Sequence, residues 1–212
     1  MADIKIDGKV VFSYFKKQLG SLRSKIEERD RRYQSLKATL HEKDAEIADL
    51  KREVEYYKSL ATVDTLTGLK NRRALENIGE YDSLIMCDVD FFKRINDMYG
   101  HDTGDKVLKL IGEVLKRLVR DGDMVLRWGG EEFVIVLKNC TLEHAYTKAS
   151  ELRLAVRELS DVFNFDISMS FGVTEIADKN ATVQDIVAEA DEAMYDSKNN
   201  GRNQVTVYQK KR

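Results

Sequence analysis

Along residues 12–61, apolar side chains recur alternately three and four positions apart: Phe12, Phe15, Leu19, Leu22, Ile26, Tyr33, Leu36, Leu40, Ile47, Leu50, Val54, Tyr57 and Ala61. Within that series only Arg29 and Lys43 are polar. A repeat held for about seven heptads fills one narrow seam, the pattern of a coiled coil rather than a globular helix. With Phe12 at a, Ile26, Ile47 and Val54 also fall at a, and Leu22, Leu36 and Leu50 at d, which favours a parallel two-stranded rod. Lys25 with Asp30, Glu46 with Lys51 and Glu53 with Lys58 suit g-to-e′ pairing, whereas Arg32 with Lys37 is repulsive. Such a stalk would be roughly 75 Å long. The alternative is a solvated single helix folded back on a domain.

Beyond Ala61 the period changes. Asp64 to Arg73 is a polar turn with one glycine, followed by a helix start. Apolar runs predict strands at Ser83 to Val89, Met124 to Leu126, Phe133 to Leu137, Phe165 to Thr174 and Gln204 to Tyr208. Helical spacing covers Phe91 to Tyr99, Gly104 to Arg120, Leu142 to Leu159 and Val183 to Ser197. Strands interleaved with helices imply an α/β unit with a mixed central sheet and helices packed on it. Ahead of the seam, Asp3 to Val11 reads as a small hairpin at Asp7-Gly8, an arm or a helix start, with no legible function. The expected organisation is an arm over 1–11, a stalk over 12–61 and one globular domain over 62–212.

Composition narrows this picture. A hydrophobic share of 42% suffices for a core, and 34% charged residues suits a long solvated helix. A formal net charge of -2 provides no basic field for nucleic acid or an anionic membrane. No apolar run approaches a membrane span, and the N-terminus, with Asp3 and Asp7, lacks the run of a signal peptide. Cys87 and Cys140 have no metal-ligand spacing, so buried thiols in a reducing, cytoplasmic compartment are expected. The absence of proline suits uninterrupted helices.

Several stretches could carry chemistry. Gly129 and Gly130 between two apolar strands suggest a tight hairpin with the positive φ of a primed turn. The adjacent Glu131 and Glu132 are unexpected in a strand, and they suit a rim beside a metal or phosphate; otherwise this is an ordinary turn. Asp88-Val89-Asp90 ends a strand and runs into a helix, which is either an acidic cap or a metal-plus-phosphate site. Lys198 and Arg202 near a helix end are either dipole partners or phosphate ligands, and Arg120 with Asp123 lies in a loop five residues before the glycine hairpin.

Taken together, these stretches resemble one family. Gly129-Gly130-Glu131-Glu132-Phe133 resembles the signature of the GGDEF diguanylate cyclases, with Glu at its third position. Asp64 to Arg73 matches D-x-L-T-G-L-x-N-R-R, and Asp88 to Asp105 matches D-x-D-x-F-K-x-x-N-D-x-x-G-H-x-x-G-D. Ala190 to Asn203 matches A-D-x-A-x-Y-x-A-K-x-x-G-R-N, except for Ser197 where Ala is usual. The resemblance covers Asp64 to about Tyr208 and implies the palm-like fold of nucleotidyl cyclases.

It also implies a reaction, two GTP condensed to cyclic di-GMP across a homodimer. Asp88 and Glu131 by side chain and Val89 by its carbonyl would hold Mg²⁺, with Mn²⁺ as an alternative and Glu132 as a further ligand. Glu131 would also be the base for the 3′-hydroxyl. Backbone N–H groups of Phe91, Phe92 and Lys93 would cradle phosphate, the Lys93 ammonium would stabilise transition-state charge, and Gly129 and Gly130 would let phosphate approach. Asn96, Asp105 and His101 would form the guanine pocket, and Lys198 and Arg202 would grip the outer phosphates. Arg120 and Asp123 resemble an allosteric product site, although Glu151 stands near where a second arginine often completes it. The expected partners are GTP, cyclic di-GMP and a second copy of the chain, with neither nucleic acid nor membrane.

Overall fold

The computed structural model describes residues 8–76 and 78–210, and the chain divides into two compact units after Lys58. The first is almost entirely one helix, α1 (Gly8–Ala61), continuous over 54 residues. Its sequence is rich in Lys, Glu, Arg, Leu and Ala, which lose little side-chain freedom in a helix. The apolar seam lies exposed along it: Leu36 is 68% exposed, Ile26 51% and Leu50 53%. Residues 1–7, and with them the Asp7-Gly8 hairpin reading, fall outside the described residues; Gly8 to Val11 already belong to α1.

The second unit is a six-stranded mixed sheet covered by helices on both faces. In chain order it contains β1 (Lys70–Asn71), a 3₁₀ turn (Arg72–Ala74), β2 (Ser83–Val89), α2 (Phe92–Tyr99), α3 (His101–Leu118), β3 (Met124–Arg127), β4 (Glu132–Leu137), α4 (Leu142–Arg157), α5 (Leu159–Phe163), β5 (Met169–Glu175), α6 (Val183–Asn199) and β6 (Val205–Val207). The strand order is β1-β3-β4-β2-β5-β6. β2 is central, antiparallel to β4 and β5, and the two edge strands pair in parallel.

Strand alternation sorts the side chains. Ile85, Cys87 and Val89 of β2, with Phe133 and Ile135 of β4, pack into one core against α3 and α4. Leu84 and Met86, with Val134 and Val136, pack into a second core against Ile186, Ala190 and Met194 of α6. The same alternation directs Asp88 and Glu132, register partners at the strand ends, toward the face that α6 covers. Contact there is close: a Cβ on Gly172 of β5 would lie 2.0 Å from the Ala190 carbonyl oxygen and 2.3 Å from the Met194 nitrogen.

Some boundaries differ from the sequence reading. The helix start after Asp64 is instead the short strand β1 and a 3₁₀ turn, because the Asn71 side chain accepts from the Arg73 N–H and donates to the carbonyls of Ala61 and Val63. The helix predicted to Leu159 ends at Arg157, and the strand predicted from Phe165 begins at Met169. Phe165 instead stacks on Tyr99, ring centroids 4.2 Å apart.

Candidate active site

The site forms where β2 and the β3–β4 hairpin end. Asp88 faces Glu132 across the ladder, and the Val89 N–H donates to the Glu131 carbonyl at 3.2 Å, bringing three carboxyl groups to one corner. From the last turn of α6, Lys198 Nζ reaches to 2.9 Å from Asp88 Oδ1. Burial pushes the Asp88 carboxyl above its ordinary range; the Lys198 ammonium opposes the rise, and Asp90 and Asp191 add to it. Burial and then the Asp88 charge raise Glu131 and Glu132 in the same way. Three oxygen-donor acids gathered around a single ammonium have the donor chemistry that suits a hard divalent cation. Among the described residues no three acidic, His or Cys side chains are grouped closely enough to hold a metal ion as they stand.

The hairpin differs from the expected primed turn. Four residues separate β3 and β4, the Trp128 and Gly129 N–H groups both donate to the Glu132 carbonyl, and neither Gly129 nor Gly130 has a positive φ. Instead, Arg127 grips the Gly130 carbonyl through Nε at 3.2 Å and Nη2 at 2.7 Å. A Cβ at 129 would lie 2.6 Å from Glu132 Oε2, the mobile end of that side chain, which would have to swing aside.

Beside the acids, α2 presents its N-terminus. Phe91 takes the left-handed conformation (φ 55), and the first backbone bonds of the helix come from the Arg94 and Ile95 N–H groups to its carbonyl. The N–H groups of Phe91, Phe92 and Lys93 precede these, as at any helix start. Lys93 is exposed, Phe92 is buried in the core, and the exposed Phe91 ring lies 4.3 Å beneath the Arg202 guanidinium.

Asn96 on α2 faces α3. Its Oδ1 is buried without a hydrogen-bond partner among the described residues, next to Gly104, where a Cβ would come within 1.9 Å. An unsatisfied buried amide oxygen is costly and marks a place prepared for a donor. His101 and Asp105, exposed and four apart at the start of α3, share one face of that helix.

Three residues have roles that their local sequence does not show. Asp90, 4% exposed, accepts from Ser168, Ser170 and the Asn203 N–H, so it braces the site rather than facing it. Arg127 joins the hairpin to Asp64, a pair far apart in sequence. The Ser197 hydroxyl, at a position where the family usually has Ala, donates to the Phe171 carbonyl at 2.7 Å and bonds Thr206, tying α6 to β5 and β6. Alternation along β2 and β4 could have matched Asp88 with Glu132, but nothing local marks the long-range pairs.

Arg120 and Asp123 stand apart from this corner. They form an ion pair at 3.5 Å on the rim of a cavity of about 380 Å³ that Cys140, His144 and Lys148 also line. Asp123 accepts the Lys138 N–H, and Arg120 donates to the carbonyls of Lys138 and Asn139. Lys148 projects into this cavity and pairs with Glu151 at 2.6 Å. Cys87 is buried as expected, whereas Cys140 is only half-buried.

Among the described residues no helix is long and apolar enough to cross a membrane. The family described as "Diguanylate cyclase, GGDEF domain" matches residues 61–204. Diguanylate cyclase DgcM of Escherichia coli is 37% identical over 171 residues, covering 76% of this chain and 42% of the relative, so the chain spans under half the length of that protein. Among solved structures, the coiled coil and GGDEF domain of DgcB from Caulobacter crescentus, in complex with c-di-GMP, is 31% identical, covers 82% of this chain and 99% of that one, and gives a TM-score of 0.63. SiaD from Pseudomonas aeruginosa, in complex with its activator SiaC, is 31% identical, covers 94% of this chain and 83% of that one, and gives a TM-score of 0.64. The signature hairpin, the carboxylate corner and a match spanning most of the globular unit agree: this chain belongs to the GGDEF-domain diguanylate cyclase family.

Proposed function

We propose that the chain is a diguanylate cyclase, converting two GTP into cyclic di-GMP and two pyrophosphates. The observation that carries this reading is the meeting of Asp88, Glu131, Glu132 and Lys198 beside the open N-terminus of α2. One nucleotide occupies each domain, its phosphates against the Phe91, Phe92 and Lys93 N–H groups and its outer phosphates held by Lys198 and Arg202. Asp105 accepts from guanine N1–H and N2–H₂, a donor pair that adenine lacks, and the unpartnered Asn96 Oδ1 offers a further acceptor. His101 borders the same pocket.

Each 3′-oxygen attacks the α-phosphorus of the other nucleotide, and the bond to the pyrophosphate oxygen breaks. Glu131 takes the 3′-hydroxyl proton, and Lys93 stabilises charge on the phosphoryl oxygens. A divalent cation, Mg²⁺ or Mn²⁺, on Asp88, Glu131, Glu132 and the Val89 carbonyl supplies neutralisation of the α-phosphate charge when bound. The two half-sites meet because the exposed seam of α1 pairs with a second copy, raising the effective concentration of one domain at the other. Product returns to the cavity at Arg120 and Asp123 and restrains turnover.

Incubation of the purified chain with GTP, ATP and Mg²⁺, followed by chromatography, tests this reading. Cyclic di-GMP alone is expected, and none from Glu131→Gln, which keeps the fold. Mixed cyclic dinucleotides, or no product at all, would overturn it.

A further inference from the structure

The turn after α6 carries three successive residues in the left-handed region: Gly201 (φ 112), Arg202 (φ 61) and Asn203 (φ 46). For residues with a Cβ this conformation is uphill, and it persists only where the surroundings hold it. Two side chains from distant elements do so here. Asp90 Oδ2 accepts the Asn203 N–H at 3.1 Å. Arg153 of α4 donates through Nη1 to the Asn203 carbonyl at 3.2 Å and to its Oδ1 at 3.0 Å.

Asp90 is itself immobilised, its oxygens taking the Ser170 hydroxyl at 2.7 Å and the Ser168 hydroxyl at 2.6 Å. It directly precedes Phe91, the ring on which the Arg202 guanidinium rests. One buried carboxylate thus ties the start of α2 to the turn bearing Arg202, and Arg153 fixes that turn from the opposite side.

We propose that Asp90 and Arg153 are positioning residues for Arg202, holding the turn in the left-handed conformation that presents its guanidinium over the α2 N-terminus, where a triphosphate is gripped. This rests on the assignment of Arg202 to the outer phosphates. Neither residue touches the nucleotide; each acts through the turn, so its effect is confined to the phosphate end of the ligand.

The test measures GTP and guanosine binding to the full chain by calorimetry, for Asp90→Asn, Arg153→Ala, Arg153→Lys, Arg202→Ala and the doubles with Arg202→Ala. Asp90→Asn and Arg153→Ala each weaken GTP about tenfold, the scale of a hydrogen bond to a charged group. Guanosine affinity stays unchanged, Arg153→Lys recovers part of the loss, and neither single loss adds to that of Arg202→Ala. Equal weakening of GTP and guanosine, or additive losses in the doubles, overturns the positioning role while leaving Arg202 on the phosphates. Should Asp90→Asn not fold, Arg153→Ala and its double decide alone. An Arg202→Ala chain that binds GTP normally removes the phosphate assignment itself, a distinct failure.

Discussion

Arg127 Nη1 lies 3.1 and 3.2 Å from the two carboxylate oxygens of Asp64, while the rest of the same guanidinium holds the Gly130 carbonyl. The signature hairpin is therefore fastened to the segment that opens the domain. Both side chains are mostly shielded, 14% and 21% exposed, and Asp64 also accepts from the Thr67 N–H and hydroxyl. Arg127→Ala should cost about 2 kcal/mol of stability, the range for a hydrogen-bonded charged group left without its partner. In a double-mutant cycle with Asp64→Ala, denaturant unfolding should give a coupling of at least about 0.5 kcal/mol. Turnover should fall as well, because the Gly130 carbonyl loses its anchor beside Glu131.

The same pair sets an acid limit. Burial works against the Asp64 carboxylate, but hydrogen bonds from Thr67 and Arg127 outweigh it and leave its pKa below the ordinary 3.8. A depressed pKa contributes stability that is present above the unfolded value and lost as pH falls through the folded one. Melting followed from pH 6 down past pH 3.8 should therefore fall less steeply for Asp64→Asn, which has no such contribution to lose.

Gly104 leaves room for Asn96. Gly104→Ala would set a methyl group 1.9 Å from Asn96 Oδ1 and 3.1 Å from the Phe92 ring, forcing the amide to turn. GTP binding should weaken about tenfold, the scale of one lost hydrogen bond to a buried polar partner. Discrimination against ATP should narrow, with little change in magnesium dependence. Competition binding with both nucleotides measures this.

Arg120 and Asp123 are not equivalent probes of the second cavity. Asp123 holds the Lys138 N–H, so Asp123→Ala should lower the melting temperature whatever its effect on regulation. Arg120, 60% exposed along its side chain, can be replaced more cleanly. Initial rates with added cyclic di-GMP should show inhibition in the parent chain and its loss in Arg120→Ala. Glu151→Ala, which removes the carboxylate from Lys148 and leaves its ammonium on the Leu118 carbonyl, should strengthen inhibition by an anionic ligand.

The seam of α1 supplies a fifth test. Leu36→Asp introduces a charge at a d position that is 68% exposed in the single chain, so the isolated helix loses only the propensity difference, about 0.5 kcal/mol. If two copies pair there, sedimentation should report a monomer. Turnover should then become dependent on protein concentration, since two half-sites would have to meet by diffusion.

Periodicity and local motif were enough to read the long helix, most of the strands and the family, because each depends on residues close together in the chain. The heptad seam is visible from Phe12 to Ala61, and the D-x-D run and glycine pair place acids at strand ends. Even where the motif was right, local geometry was not: the signature glycines adopt no positive φ, because Arg127 and the Glu132 carbonyl shape a wider turn than two glycines suggest.

What the amino-acid order determined alone was which residues alternate, where the long helices run and which side chains could bear charge. Only tertiary packing decided that Lys198 sits on Asp88, that Asp64 reaches Arg127, and that Asp90 turns away from the acids to brace Asn203. Those contacts join elements separated by tens of residues. Each pairing offsets the cost of taking charged and polar groups out of water, and no pattern along the chain encodes which pair will meet.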